Sequence, residues 1–395
     1  MAHIVKRGKS YTVRVSCGYD INGKQIFKNK TFRPPEGLSA KQEKKALDEF
    51  VLDFERQAKL GRVLDGNIRF VEFCEKWFKD YAEGNLQPKT LQRYKEFAAR
   101  CNQAIGNIKL EDIRPHHLND FYSNLAEPGM NKRTGGFLSP KTIQEHHRFI
   151  SKVLNTAVQW QIIYENPATR ATPPKVKQAE VLYLDEEQAK MVITALEQEE
   201  QKYKTALILA IYSGLRRGEL CGLKWQDIDF EGKIISVRRT LQYLASIGLY
   251  EKEPKTKSSL RSLKLPDEIF HLLREHKSWQ DEQRTAHGTA WEDNDYILTQ
   301  QDGKPMHPDT LTDFFSKLAK KLDLPKGISF HSLRHTSATL LIAGGMSPRT
   351  VASRLGHAQV STTMNIYSHQ LQSADAKAAE VLSDMLNPVK QETSP

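Results

Sequence analysis

At 395 residues the chain exceeds what one hydrophobic core ordinarily fills, so two or three domains are expected. Hydrophobic residues at 39% and charged residues at 27% suit a soluble globular protein, and no stretch approaches the roughly 18 consecutive apolar residues of a membrane span. The start, MAHIVKRGKSYTVRV, lacks the apolar run and small-residue cleavage site of a secretory signal, so a cytoplasmic protein is expected. A formal net charge of +10 makes a polyanion the leading partner class, without separating DNA from RNA or anionic lipid. Cys17, Cys74, Cys101 and Cys221 are scattered with no CxxC pair, which reads as reduced thiols and argues against both a disulfide framework and a zinc knuckle.

The charge is uneven, with a net of +7 carried by residues 1–33. There Tyr11, Val13 and Val15 alternate with Thr12, Arg14 and Ser16, and Ile26-Phe27 and Thr31-Phe32 flank a further basic stretch, as in strands with one buried face. Asn22-Gly23 predicts a hairpin turn, and from Ser39 a helical pattern gathers Leu47, Phe50, Val51 and Phe54. The first unit, 1–64, therefore reads as a three-stranded sheet backed by a helix. Arg14, Lys28 and Lys30 are its candidate nucleic-acid contacts on an exposed strand face.

A second, all-helical unit spans 68–170. Phe70, Phe73, Trp77, Phe78 and Tyr81 recur at helical spacing, Gln87-Pro88 opens another helix, and further helices are predicted at 115–126 and 139–161, the latter with Ser139 as N-cap and Pro140 at the first position. Residues 171–180, with Pro173-Pro174-Lys175-Val176-Lys177, have the composition of a stiff basic linker. The third unit, 181–395, opens on Asp185 and Gln188, spaced as a capping box, and is mostly helical with a small antiparallel sheet from Ile234–Val237 and Leu260–Leu265. The fold class is thus multidomain and mainly α: a β-sheet-plus-helix unit, a helical unit and a mixed α/β unit.

Three segments of the third unit carry chemistry. Tyr212-Ser213-Gly214-Leu215-Arg216-Arg217-Gly218-Glu219-Leu220 sets a turn before paired arginines, an always-charged planar fork suited to phosphate, with a carboxylate three residues after Arg216. Solvated arginines at a helix start would look the same. His331-Ser332-Leu333-Arg334-His335 puts His331 and Arg334 on one helical face with Leu333 toward the core. A zinc pair of His331 and His335 is the weaker reading, since the segment lacks the Glu of HExxH and carries an arginine between the histidines. Gly356 is expected to end a helix, His357 follows it, and Tyr367 lies ten residues on, where alone it would read as packing.

SGLRRGEL, HSLRH, LGH and NIYSH, in this order and spacing, resemble the signature boxes of the tyrosine recombinase, or phage integrase, family. The resemblance spans about 178–385; residues 68–170 fit the family's core-DNA-binding domain by layout, and 1–64 resembles the arm-binding domain of integrases from conjugative transposons and temperate phages of low-GC bacteria. Carried over by position, it implies Arg216, His331, Arg334 and His357 around a scissile phosphate, Tyr367 as nucleophile, and Glu219 as support. Lys257 is the implied general acid, with Lys255 as the alternative. It further implies double-stranded DNA as substrate, a 3′-phosphotyrosyl intermediate needing no ATP, metal or other cofactor, and a tetramer on paired sites. The helical pattern at 372–386 would pack on its own domain or, as the resemblance implies, dock on a neighbouring subunit, and an excision factor and a host DNA-bending protein are possible partners. A DNA-binding protein without catalysis and a type IB topoisomerase relative are the rival readings.

Overall fold

The computed structural model describes residues 2–19, 23–59, 67–177, 180–252 and 260–356, together with Ser383 and Leu386. Lys255, Lys257, His357, Tyr367, Asn22 and the rest of the 372–386 pattern lie outside the described residues. The chain divides into two compact units, 1–178 and 179–395. No helix among the described residues is long and apolar enough to cross a membrane.

In the first unit β1 (His3–Arg7), β2 (Ser10–Tyr19) and β3 (Gln25–Phe32) form an antiparallel meander backed by α1 (Ala40–Lys59). Strand alternation sends Val13 and Val15 inward, where they meet Leu47, Phe54 and Ala58 of the helix. Gly23 leads into β3 at φ 76°, a left-handed conformation that glycine adopts without steric cost.

The helical part of this unit begins with α2 (Phe70–Trp77), which continues through a π turn (Phe78–Ala82) into the single turn α3 (Glu83–Asn85). It packs with α4 (Pro88–Ile105), α5 (Pro115–Leu125) and α6 (Pro140–Gln159) around a core in which Trp77 is wholly buried. The predicted aromatic stripe is that core: the Trp77 ring lies 5.2 Å from Phe78, 5.6 Å from Tyr81 and 6.0 Å from Phe149. Its indole N–H donates to Thr156 Oγ1 at 3.0 Å, satisfying the one polar atom that burial would otherwise orphan. Ser139 caps α6 by accepting from Thr142 N–H, with Pro140 at the first helical position. Cys74 and Cys101 are buried here as free thiols, as is Cys221 in the second unit, while Cys17 is half-buried.

In the second unit Asp185 and Gln188 close the expected capping box at the start of α7 (Glu186–Leu196), Gln188 N–H donating to Asp185 Oδ1 at 2.8 Å and Asp185 N–H to Gln188 Oε1 at 3.1 Å. The central helix α8 (Gln201–Ser213) is buried all round from Thr205 to Ile211, which fits its run of apolar residues without helical periodicity. After the short α9 (Arg217–Cys221), β4 (Ile228–Asp229), β5 (Ile234–Val237) and β8 (Arg261–Lys264) make the small antiparallel sheet, in register Ile235 to Leu263. A hairpin of β6 (Thr240–Leu244) and β7 (Gly248–Lys252) lies between β5 and β8 in the chain. Helices α10 (Asp267–His287), α11 (Pro308–Lys321), α12 (Phe330–Ala343) and α13 (Pro348–Leu355) complete the unit. Thr336 of α12 accepts from Leu184 N–H at 2.8 Å, tying the entry of the unit to a helix 152 residues later.

Candidate active site

The arginine box begins where α8 stops. Gly214 turns the chain at φ 63°, and a Cβ there would come within 2.4 Å of Leu355 Cδ2, so both backbone and space demand glycine. The turn delivers Arg216 to the start of α9. Its backbone N–H donates to Glu219 Oε2 at 2.9 Å and its Nη1 to Glu219 Oε1 at 2.8 Å. Arg217, its neighbour in sequence, turns away to Asp309 Oδ1 at 2.6 Å and Thr312 Oγ1 at 2.5 Å on α11. The paired arginines therefore separate into one that faces the site and one that braces a helix.

Arg334 is 3% exposed on α12, with Leu333 wholly buried beside it as expected. Arg334 Nη1 donates to Gly214 O at 2.7 Å and Nη2 to Leu355 O at 2.7 Å. Gly356 caps α13 in the left-handed conformation, φ 68°, and its carbonyl accepts from Arg216 Nη2 at 3.2 Å. Both arginines thus end on the peptide groups that immediately precede His357 in the chain. Three of the four boxes meet at one helix end.

His331 sits in the first turn of α12, solvent-exposed along one edge, with its ring 4.8 Å from His335 and perpendicular to it. Partial desolvation, then the charges of Arg334 and Arg216, lower its pKa. Desolvation, His331 and Arg334 push His335 down to about 4. Both rings are therefore neutral near pH 7, the state in which an imidazole can accept a proton. Among the described residues the pair has no third His, Cys, Asp or Glu to complete a metal site.

Glu219 is 2% exposed. Burial alone would raise its pKa, but hydrogen bonds and charges from Arg261 and Arg216 outweigh it and hold the carboxyl below its ordinary value. Arg261 is a residue the sequence did not single out. Its signal was present: Arg261, Leu263 and Leu265 are in phase along a strand, and period-2 alternation puts the arginine on the same inward face as the buried leucines.

The three candidate contacts of the N-terminal sheet do not share a face. Val13 pairs with Lys30 and Val15 with Lys28, and directly paired residues lie on the same side, so both lysines belong to the helix-backed face. Lys30 Nζ lies 5.5 Å from the Phe50 ring centre, its stem running along apolar surface. Arg14 alone is on the open face, stacked 4.0 Å over Phe27. The expectation of one basic strand face is corrected accordingly.

The phage integrase family model matches residues 182–374, and the phage integrase N-terminal SAM-like domain model matches residues 69–126. A tyrosine recombinase XerC-like protein of Caldanaerobacter subterraneus subsp. tengcongensis is 28% identical over 402 residues, covering 96% of this chain and 98% of its own. The Tn1549 transposon integrase, solved with transposon right end DNA, shares the fold with a TM-score of 0.66 at 23% identity, over 79% of this chain and 99% of that one. Lambda integrase, solved as a tetramer bound to a Holliday junction, does so with a TM-score of 0.53 at 17% identity, over 91% and 94%. Site, family models and fold agree, and the chain belongs to the tyrosine recombinase, or phage integrase, family of DNA-cleaving and rejoining enzymes.

Proposed function

We propose that the protein integrates and excises a mobile genetic element, cleaving double-stranded DNA through a 3′-phosphotyrosyl bond to Tyr367. The observation that carries the reading is the convergence of Arg216 and Arg334 on consecutive carbonyls, Gly356 O and Leu355 O, one residue before His357. Phosphodiesters resist attack because their oxygens are anionic and the leaving alkoxide is poor, so a site must neutralise charge and move protons. Arg216, with 39% of its side chain exposed, meets one non-bridging oxygen; Arg334 supplies the second cation and His357 a third donor. Tyr367 attacks phosphorus. A phenol with an ordinary pKa near 10 needs help to ionise, and His331, kept neutral by its surroundings, takes its proton. Lys257, or Lys255 two residues before it, protonates the departing 5′-oxygen. The resulting phosphotyrosine conserves bond energy, so another strand's 5′-hydroxyl can rejoin the DNA without ATP.

In this reading residues 1–64 bind arm sites, 68–170 clamp the core site, 171–180 link, and 181–395 carry the chemistry. The enzyme works on the chromosome in the cytoplasm and assembles as a tetramer on paired sites, the 372–386 segment joining subunits. An excision factor and a host DNA-bending protein are the further partners we would seek.

The test is incubation of wild type and Tyr367→Phe with a labelled duplex spanning the chromosomal junction of the encoding element, quenched in detergent and run on a denaturing gel. A slow protein–DNA band is expected with wild type alone. Binding without a band from either protein favours a DNA-binding factor; relaxation of plasmid lacking the junction favours a topoisomerase; a band from both displaces Tyr367 as nucleophile.

A further inference from the structure

The last carbonyls of a helix have no partner within it and carry the negative end of its dipole. At the end of α13 three consecutive ones each meet a different guanidinium. Arg354 O accepts from Arg261 Nε at 2.8 Å, Leu355 O from Arg334 Nη2 at 2.7 Å, and Gly356 O from Arg216 Nη2 at 3.2 Å. Two of these arginines have roles in the mechanism above; Arg261 has none.

Arg261 opens β8, shortly after Lys255 and Lys257 in the sequence. With only 7% of its side chain exposed, it is poorly placed to meet a phosphate itself. It instead forks onto Glu219, Nη2 to Oε2 at 2.8 Å and Nη1 to Oε1 at 3.3 Å. Glu219 accepts from Arg216 on the same two oxygens, so each carboxylate oxygen serves both arginines.

We infer that Arg261 is a positioning residue for strand cleavage: by sharing Glu219 it leaves Arg216 a net positive charge for the scissile phosphate and holds that guanidinium at the end of α13. Two arginines on one carboxylate make a cluster of charge +1, and its exposed member is Arg216. Remove Arg261 and the remaining pair is neutral, with both carboxylate oxygens left to Arg216 alone. The inference rests on the reading that Arg216 binds that phosphate.

The test uses the full chain and the junction duplex, with the cleaved phosphate first mapped from the wild-type adduct. Arg261→Met is expected to slow adduct formation about 100-fold, the scale of a small misplacement at a reacting centre, with native-gel affinity unchanged. Placing a methylphosphonate at the mapped phosphate removes one anionic oxygen, so the ratio of wild-type to variant rates should shrink. Arg261→Met combined with Glu219→Gln should recover part of the lost rate, because no carboxylate is left to neutralise Arg216. Should Arg261→Met lose its melting transition, Arg261→Lys carries the same comparison with a smaller deficit. A wild-type rate in folded Arg261→Met, or an equal deficit on phosphate and methylphosphonate in the variant used, overturns the inference. Rescue by a 5′-bridging sulfur, which leaves without a proton, would also overturn it by moving the role to the lysine that acts as general acid. Normal cleavage by Arg216→Met would instead sink the underlying reading, and this one with it.

Discussion

The helical part of the first unit and the second unit bury different things. Between residues 67 and 177 the core is aromatic and aliphatic, centred on Trp77, and the few buried polar side chains, such as Thr156 and Asn166, satisfy local groups. Between 180 and 356 Glu219, Asp227, Arg334 and His276 are all buried, the two carboxylates in ion-paired networks and Arg334 on two backbone carbonyls. Burying charge is costly and returns little net stability, so a gain in stability does not by itself account for these networks. The first region is packed to persist, the second to hold charges at fixed points.

Glu219→Ala should give the largest effect. It removes the buried carboxylate onto which Arg261 forks, which costs about 3–5 kcal/mol, and adduct formation should disappear even at temperatures where the chain stays folded. Thermal melting and the denaturing gel read the two losses separately; adduct surviving at the wild-type rate would show that the buried charges serve stability alone. Trp77→Ala should cost a similar 3–5 kcal/mol through its cavity and lost ring contacts, but hydrogen exchange should place the loss of protection in α2 and α6 and leave α12 and α13 untouched.

Acid should act more on the second region. Burial, above all, draws His276 from 6.5 to about 4, and His335 reaches the same value for the reasons given above. The unfolded chain therefore takes up protons that the folded chain refuses, so stability is full above about pH 6.5 and falls as pH drops toward 4. Melting temperature followed across that window should decline, with protection lost first around α10 and α12; a flat profile would mean these rings titrate normally. The smallest effects belong to the N-terminal sheet. Arg14→Ala should weaken arm-site binding and lower the salt slope by about one, whereas Lys30→Ala should leave binding unchanged and cost about 0.5–1 kcal/mol of folding stability. Equal losses of affinity would return both residues to one binding surface.

Much of this was legible in the residues because the signals were local. Ser139-Pro140, the Asp185 and Gln188 pair, and the glycines at 214 and 356 announce helix ends through their own chemistry. What stayed hidden depends on register between distant segments. Lys28 and Lys30 alternate correctly with Phe27 and Asn29, but which alternate faces the helix is decided by pairing with β2, and a lysine stem over Phe50 tolerates the inner side. The bond from Arg261 to Glu219 spans 42 residues and no motif predicts it. The β6 and β7 hairpin was missed because Ser246-Ile247-Gly248 is a weak turn signal inside a region of mixed polarity.

The guanidinium of Arg334 joins Gly214, 120 residues earlier, to Leu355, 21 residues later. The Gly214 contact closes a long stretch of chain, and the entropy cost of closing it grows only slowly with its length. A chain still on the ribosome, or cut short before α12, lacks this clasp and holds its Arg216 box without its partners. Arg216 and Arg334 are thus brought onto neighbouring carbonyls only once α8, α12 and α13 are all present in the chain.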